Sequence, residues 1–207
     1  MTHSVEPLPR SFFERHAPLV ARDLIGTHLV APSGVRAEVV EVEAYDQKDP
    51  AAHTYGGPTP RNEVMFGPAA HLYTYFVYGM HWCANIVTGQ PGEGEAVLLR
   101  AARLLEGEGA VRVRRGTSVA ERDLLRGPAR LAAGLGLGRT AGGADLLAPD
   151  APLRVVVGAA APGATAVEVG PRVGVRLAAD VPWRFVAAGS RWVSDYRRHP
   201  RAAPRAT

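Results

Sequence analysis

The sequence predicts a mixed α/β fold, in one large domain or two small ones. Three observations carry this expectation. The 207 residues are 46% hydrophobic and 21% charged, enough to bury one substantial core. Helical patterns near the start and within 118–134 alternate with β-branched and aromatic runs over 27–45, 71–100 and the late chain. No internal repeat and no linker-like stretch divides the chain.

The elements follow in order. Ser11-Phe12-Phe13-Glu14 has the form of a capping box, which predicts a helix starting at Ser11. Pro18 opens a second helix over 18–25, ended by Gly26. Residues 27–31 read as a strand, and Pro32-Ser33-Gly34 as the turn into a strand over Arg36–Tyr45. Alternation places Val40, Val42 and Ala44 on one face of that strand and Glu41, Glu43 and Tyr45 on the other. Residues 46–66 form a long loop rich in Gly and Pro, a length at which loops tend to be functional. Residues 71–78 and 82–88 pair as a hairpin across Gly79-Met80, with Tyr73 and Tyr75 on one face and Tyr78 at the tip, pointing the other way. Residues 96–100 are an apolar strand ending in Arg100. Residues 104–115 are ambiguous, 118–125 and 128–134 read as helices, and 153–157, 172–177 and 183–187 as late strands. Residues 197–207 read as a disordered polar tail.

Composition excludes several classes. No apolar run approaches 18 residues, and residues 1–10 lack the apolar core of a secretory signal. Cys83 is alone, so neither a disulfide framework nor a cysteine zinc cluster is expected, and a reducing cytoplasm is the natural compartment. The seven histidines do not fall at metal-ligand spacing, so no metal is expected. The net charge of +4 favours a polyanionic partner, and Lys48 is the single lysine among 24 basic residues. Arginine suits bidentate phosphate contacts, although a GC-rich genome produces the same bias.

The candidate site lies in 37–78. Five of the six tyrosines fall between Tyr45 and Tyr78, together with Glu43 and His53. A carboxylate, an imidazole and several phenols so close in sequence point to a pocket for a flat ring with polar edges. Taken singly, each has a bland reading: a solvated strand face, a structural histidine, tyrosines in a core. The ordered set shifts the balance.

Glu43-Ala44-Tyr45, Ala51-Ala52-His53, Thr59-Pro60-Arg61-Asn62, Met65-Phe66, Leu72-Tyr73-Thr74-Tyr75 and Tyr78-Gly79-Met80 resemble the alkyladenine (3-methyladenine) DNA glycosylase family. Asn85, Leu98-Leu99-Arg100, Gly127-Pro128 and the run from Gly189 to Ser194 extend the resemblance over residues 21–194. It implies a single compact domain, residues 1–207, around a curved, mainly antiparallel sheet with flanking helices and a protruding, DNA-inserting β-hairpin. It also implies a monofunctional glycosylase of base excision repair. Such an enzyme flips alkylated or deaminated purines out of duplex DNA and hydrolyses the N-glycosidic bond.

On that resemblance Glu43 is the general base for the attacking water. Tyr45 and Tyr75 sandwich the flipped base, and His53 bonds its edge and the sugar-phosphate. Asn85 excludes the exocyclic amine of guanine, Arg100 lies beside the pocket, and Tyr78 fills the gap left in the duplex. Tyr73 adjoins the pocket or packs in the core, and Glu41 is structural or supports the site. The implied partner is double-stranded DNA containing damaged purines, bound by a monomer in the cytoplasm, nucleoid-associated through DNA, without a cofactor. Lys48 follows the Glu43 strand and no proline follows Met1, so no amine is expected to cleave the strand. Two alternatives come from other classes: a non-catalytic module that recognises damaged DNA, and a hydrolase or transferase acting on free nucleosides or small metabolites. A recognition module has no use for Glu43, and a small-molecule enzyme has none for an exposed Tyr78.

Overall fold

The computed structural model describes residues 6–202. Strand β2 (Arg36–Tyr45) is the axis of its sheet. On one side β2 pairs with β5 (Glu95–Glu106) along its whole length. On the other it pairs first with β1 (His28–Val30) and then, over Glu41–Glu43, with β8 (Arg184–Ala187). The sheet continues from β5 to β4 (His81–Thr88) and β3 (Leu72–Val77). Beyond β1 lies β6 (Arg154–Val156), and β7 (Val167–Gly170) pairs with β8. Every pairing between these strands is antiparallel, and the result is a curled eight-stranded sheet in an α+β fold.

The curl has a local cause. The β2–β5 register shifts between Val39 and Val42, where extra residues bulge and increase the twist. The bulge also moves the alternation by one. Val39, rather than Val40, joins Val42 and Ala44 in the main core cluster, which corrects the simple alternation expected from sequence. Both faces of β2 are covered, so Glu41 and Glu43 have no exposure.

Helix α2 (Ala17–Leu24) carries Pro18 in its first turn and buries Val20, Ala21 and Leu24. Helix α1 (Arg10–Phe13) begins one residue before the expected capping box. Pro9 takes the cap position, no side chain caps the helix, and burial of Phe13 places Ser11 inside it. The ambiguous 104–115 segment splits into the end of β5 and helix α3 (Glu108–Arg115). Residues 118–125 form only a short 3-10 turn at Glu121–Asp123, and helix α4 (Pro128–Leu135) follows. The strand expected at 172–177 is irregular chain, because its polar groups bond to the site rather than to a ladder.

The expected polar tail is tied to the rest of the fold at Arg197 and Arg198. Gly174 N donates to Arg197 O at 2.8 Å, and Arg198 pairs with Asp180. The rest of that expected tail, and most of the N-terminal stretch read for a signal, lie outside the described residues. No helix among the described residues is long and apolar enough to cross a membrane.

Close backbone contact between 26 and 158 joins the end of α2 to the chain after β6. A Cβ on Gly158 would lie 1.8 Å from the carbonyl oxygen of Gly26, a backbone atom with little freedom to retreat. Gly158→Ala should therefore cost about 3 kcal/mol in urea unfolding. Gly170→Ala, in open space, should stay within about 0.5 kcal/mol. Equal midpoints for the two variants would contradict this packing.

Candidate active site

Strands β2 and β3 are separated in the sheet by β5 and β4, so only the curl can bring their side chains together. It does so around a cavity of about 300 Å³. Glu43, Tyr45, His53, Tyr75, Tyr78, Asn85 and Arg100, the residues singled out from sequence, all line it. Tyr73, Val77, His81 and Cys83 add to the hairpin wall, and Pro128 and Ala129 of α4 and residues 173–175 complete the lining.

Glu43 is fully buried, and its oxygens are held from three directions. Tyr45 OH donates to Oε2 at 2.9 Å, Arg100 Nη1 donates to Oε2 at 3.3 Å, and Val173 N donates to Oε1 at 2.7 Å. A carboxylate offers roughly four acceptor positions, so one remains for a ligand or water. Burial, and then the neighbouring Glu43, push the Tyr45 phenol well above its usual range, so it stays a donor. Burial opposes the charge on Arg100, but Glu43 and Glu41 more than offset it and hold the guanidinium cationic.

Glu41 differs from Glu43 in taking four donors and in not being among the residues that line the cavity. Arg100 Nε and Arg184 Nε each donate to Oε1 at 2.8 Å, as does Ser194 Oγ, and Ser194 N donates to Oε2 at 2.7 Å. Burial raises its carboxyl, and the Arg100 and Arg184 charges with the Ser194 bond outweigh that and lower it overall. Glu41 is thus the anchor of the buried charges, which agrees with its reading as a supporting residue.

The long loop reaches the cavity through Asn62, which is buried within the Thr59-Pro60-Arg61-Asn62 motif. Its Nδ2 donates to His53 O at 2.8 Å and to Gly57 O at 3.1 Å, while its Oδ1 accepts from Thr59 N and Oγ1. His53 Nδ1 then lies 3.1 Å from Tyr73 OH, with its ring edge-on to Tyr75 at 4.6 Å. Burial and then Arg61 lower the His53 pKa, so the ring is neutral at pH 7. Tyr73 is buried and stacks on Tyr75 at 5.8 Å, so it belongs to the aromatic wall. Asn85 lies opposite Tyr73 in register, and its Nδ2 donates to Tyr73 O at 3.2 Å.

Tyr78 is 87% exposed at the hairpin tip, and its φ of 54° takes it out of strand alternation. It therefore turns to the cavity mouth instead of away from it, which corrects the expected direction. Arg172 and Arg184 were not identified from sequence. Arg172 is buried, bonds Asp49 and Ala44 O, and lies 4.6 Å from the Tyr45 ring centroid, so it fixes the back of that ring. Nothing local in the sequence marks it. Arg184 carries a weak signal, a charge between Trp183 and Phe185 in an apolar run.

Lys48 is not among the residues lining the cavity; it lines a separate crevice with His16, Asp46 and Glu95. The last three are the described residues whose ligand atoms come close enough for a metal. They already have partners within the protein: His16 Nε2 lies 3.2 Å from Asp46, and Ala17 N donates to Glu95.

The buried charges predict a pH dependence. A carboxyl lowered in the folded state contributes stability above its unfolded pKa and loses it as pH falls through the folded one. Glu41→Gln should cost about 3 kcal/mol at pH 7, because it leaves two guanidinium groups undercompensated. That deficit should shrink below about pH 4, near the unfolded carboxyl value, as the wild type protonates. Thermal melts from pH 7 to pH 3 measure it; a constant gap would contradict the assignment.

The chain is similar to known proteins over nearly its whole length. Residues 11–191 match the methylpurine-DNA glycosylase family. A Burkholderia lata protein provisionally named as a 3-methyladenine DNA glycosylase is 48% identical over 188 residues, 90% of each chain. A Streptomyces avermitilis protein of the same provisional name is 46% identical over 199 residues, 93% of each. With that coverage the chain belongs to the methylpurine-DNA glycosylase family, whose members are hydrolases of N-glycosyl bonds.

Proposed function

We propose that this protein is a monofunctional DNA glycosylase that excises alkylated or deaminated purines from duplex DNA, acting as a single-domain monomer. The observation that carries this is Glu43: a buried carboxylate, oriented by three donors, facing an aromatic cavity with one acceptor position open. 3-Methyladenine, 7-methylguanine, hypoxanthine and ethenoadenine are the substrates that this reading entails.

The target nucleotide leaves the stack and its base enters between Tyr45 on one wall and Tyr75 on the other. Electron-poor alkylpurines gain from phenol faces. Neutral His53, accepting from Tyr73 OH at Nδ1, has Nε2–H left to donate to the base edge or sugar-phosphate. Asn85 on the floor discriminates against the amine of normal guanine. Tyr78 fills the vacated space in the duplex.

Glu43 takes a proton from water as its oxygen bonds to C1′. The bond between C1′ and the base nitrogen breaks, its electron pair leaves with the base, and the anionic carboxylate stabilises the positive charge developing on the sugar. A cationic alkylpurine departs neutral, without an added proton. The products are the free base and an intact strand with an abasic site. Among the described residues no lysine lines the cavity, which favours water over an amine as nucleophile.

Glu43→Gln should slow single-turnover excision about 10³-fold, the scale of a lost general base, while lesion binding stays within a few-fold. Loss of binding as well would overturn the role given to Glu43. Tyr78→Ala should weaken lesion-duplex affinity about tenfold, as the loss of one stacking side chain does, with excision at saturation less affected. Unchanged affinity would remove the wedge.

A further inference from the structure

The hairpin β3–β4 has two faces, and the proposed function uses one. Alternation sends Tyr73, Tyr75 and Asn85 to the cavity, and Thr74, Phe76 and Trp82 to the other side. Near the base of the hairpin that second side is covered. Ala84 and Ile86 are in the core, and Thr74 Oγ1 donates to Gly138 O at 3.1 Å. Toward the tip the cover ends. Phe76 is 44% exposed and meets Trp82 across the strands at 5.1 Å. The Arg139 guanidinium lies 6.0 Å from the Trp82 ring centroid, and Arg61 Nη2 donates to Phe76 O at 3.3 Å. These groups, together with Tyr73 and Tyr75 of the cavity wall, line an open cleft with two arginines and no carboxylate.

We infer that this cleft receives the complementary strand of the damaged duplex, with the nucleobase orphaned by flipping set against Phe76 and the edge of Trp82. The inference rests on the proposed function, because only a duplex supplies a second strand. Three features argue for this occupant. Exposed aromatic rings beside a guanidinium form a stacking platform for any base, whatever its identity. The cleft's positive charge, with no opposing carboxylate, matches a phosphate backbone. Phe76 in the cleft is also only two residues before Tyr78 at the tip. A hairpin wedged between two strands turns one face to each, and the cavity face is taken by the flipped nucleotide.

The test is equilibrium binding, by fluorescence anisotropy, to three probes. They are a duplex with one ethenoadenine opposite thymine, the same duplex with a tetrahydrofuran abasic residue opposite the ethenoadenine, and the ethenoadenine strand alone. Phe76→Ala and Arg139→Gln are the variants, both at exposed residues; Trp82 is kept because its ring also packs on the core. Melting curves confirm that both remain folded. Each variant should bind the thymine-opposed duplex about tenfold more weakly than the wild type. For Phe76→Ala the ratio should fall toward one on the abasic-opposed duplex and on the single strand; for Arg139→Gln, whose phosphate contact survives loss of the base, it should fall toward one only on the single strand. Unchanged duplex affinity, or an equal loss on all three probes, overturns the inference and leaves the proposed excision standing. A wild type that does not bind the damaged duplex overturns both.

Discussion

Two buried carboxylates, two residues apart on one face of β2, must both find donors for this cavity to exist in its present form. Burying one anion costs several kcal/mol, and two side by side cost more. Arg100 resolves the conflict by bridging them, with Nε on Glu41 and Nη1 on Glu43. Arg184 and Ser194 then complete Glu41, and Tyr45 and the Val173 amide steady Glu43. The outcome is a division of labour between like groups. Glu41 holds the network and is not among the residues lining the cavity; Glu43 faces the cavity with an acceptor position open.

The partners of these carboxylates come from far along the chain. Val173, Arg184 and Ser194 belong to the last quarter of the sequence, whereas Glu41 and Glu43 lie in the first. The site therefore forms only when β8 docks on the second half of β2, beyond the end of β1. The bulge near Val39–Val42 sits where this exchange of neighbours occurs, so the irregularity that curls the sheet also opens the strand edge to β8. One local departure from regular pairing thereby shapes the cavity and admits its charge partners.

Much of this was legible in the sequence, and the limits have physical causes. Strand β2 was readable to the residue because Pro32-Ser33-Gly34 marks its start and the Gly- and Pro-rich loop after Tyr45 marks its end. The residues named for the cavity share it because they fall in ordered motifs that resemble a family. Arg172 and Arg184 escaped because a buried arginine is defined by partners distant in sequence, which no local pattern encodes. Helix signals misled at Ser11 and over 118–125, where tertiary packing outweighed propensity. The direction of Tyr78 escaped because alternation holds only while φ stays negative.

The most direct test of the account is a single-turnover assay of the wild type on a duplex carrying one ethenoadenine or hypoxanthine, with and without alkali, alongside release of 3-methyladenine from methylated DNA. The account predicts released base and strand breaks that appear only after alkali, the signature of water and not an amine as the nucleophile. Breaks without alkali would contradict it by requiring an amine nucleophile, and binding without release would make the chain a recognition module.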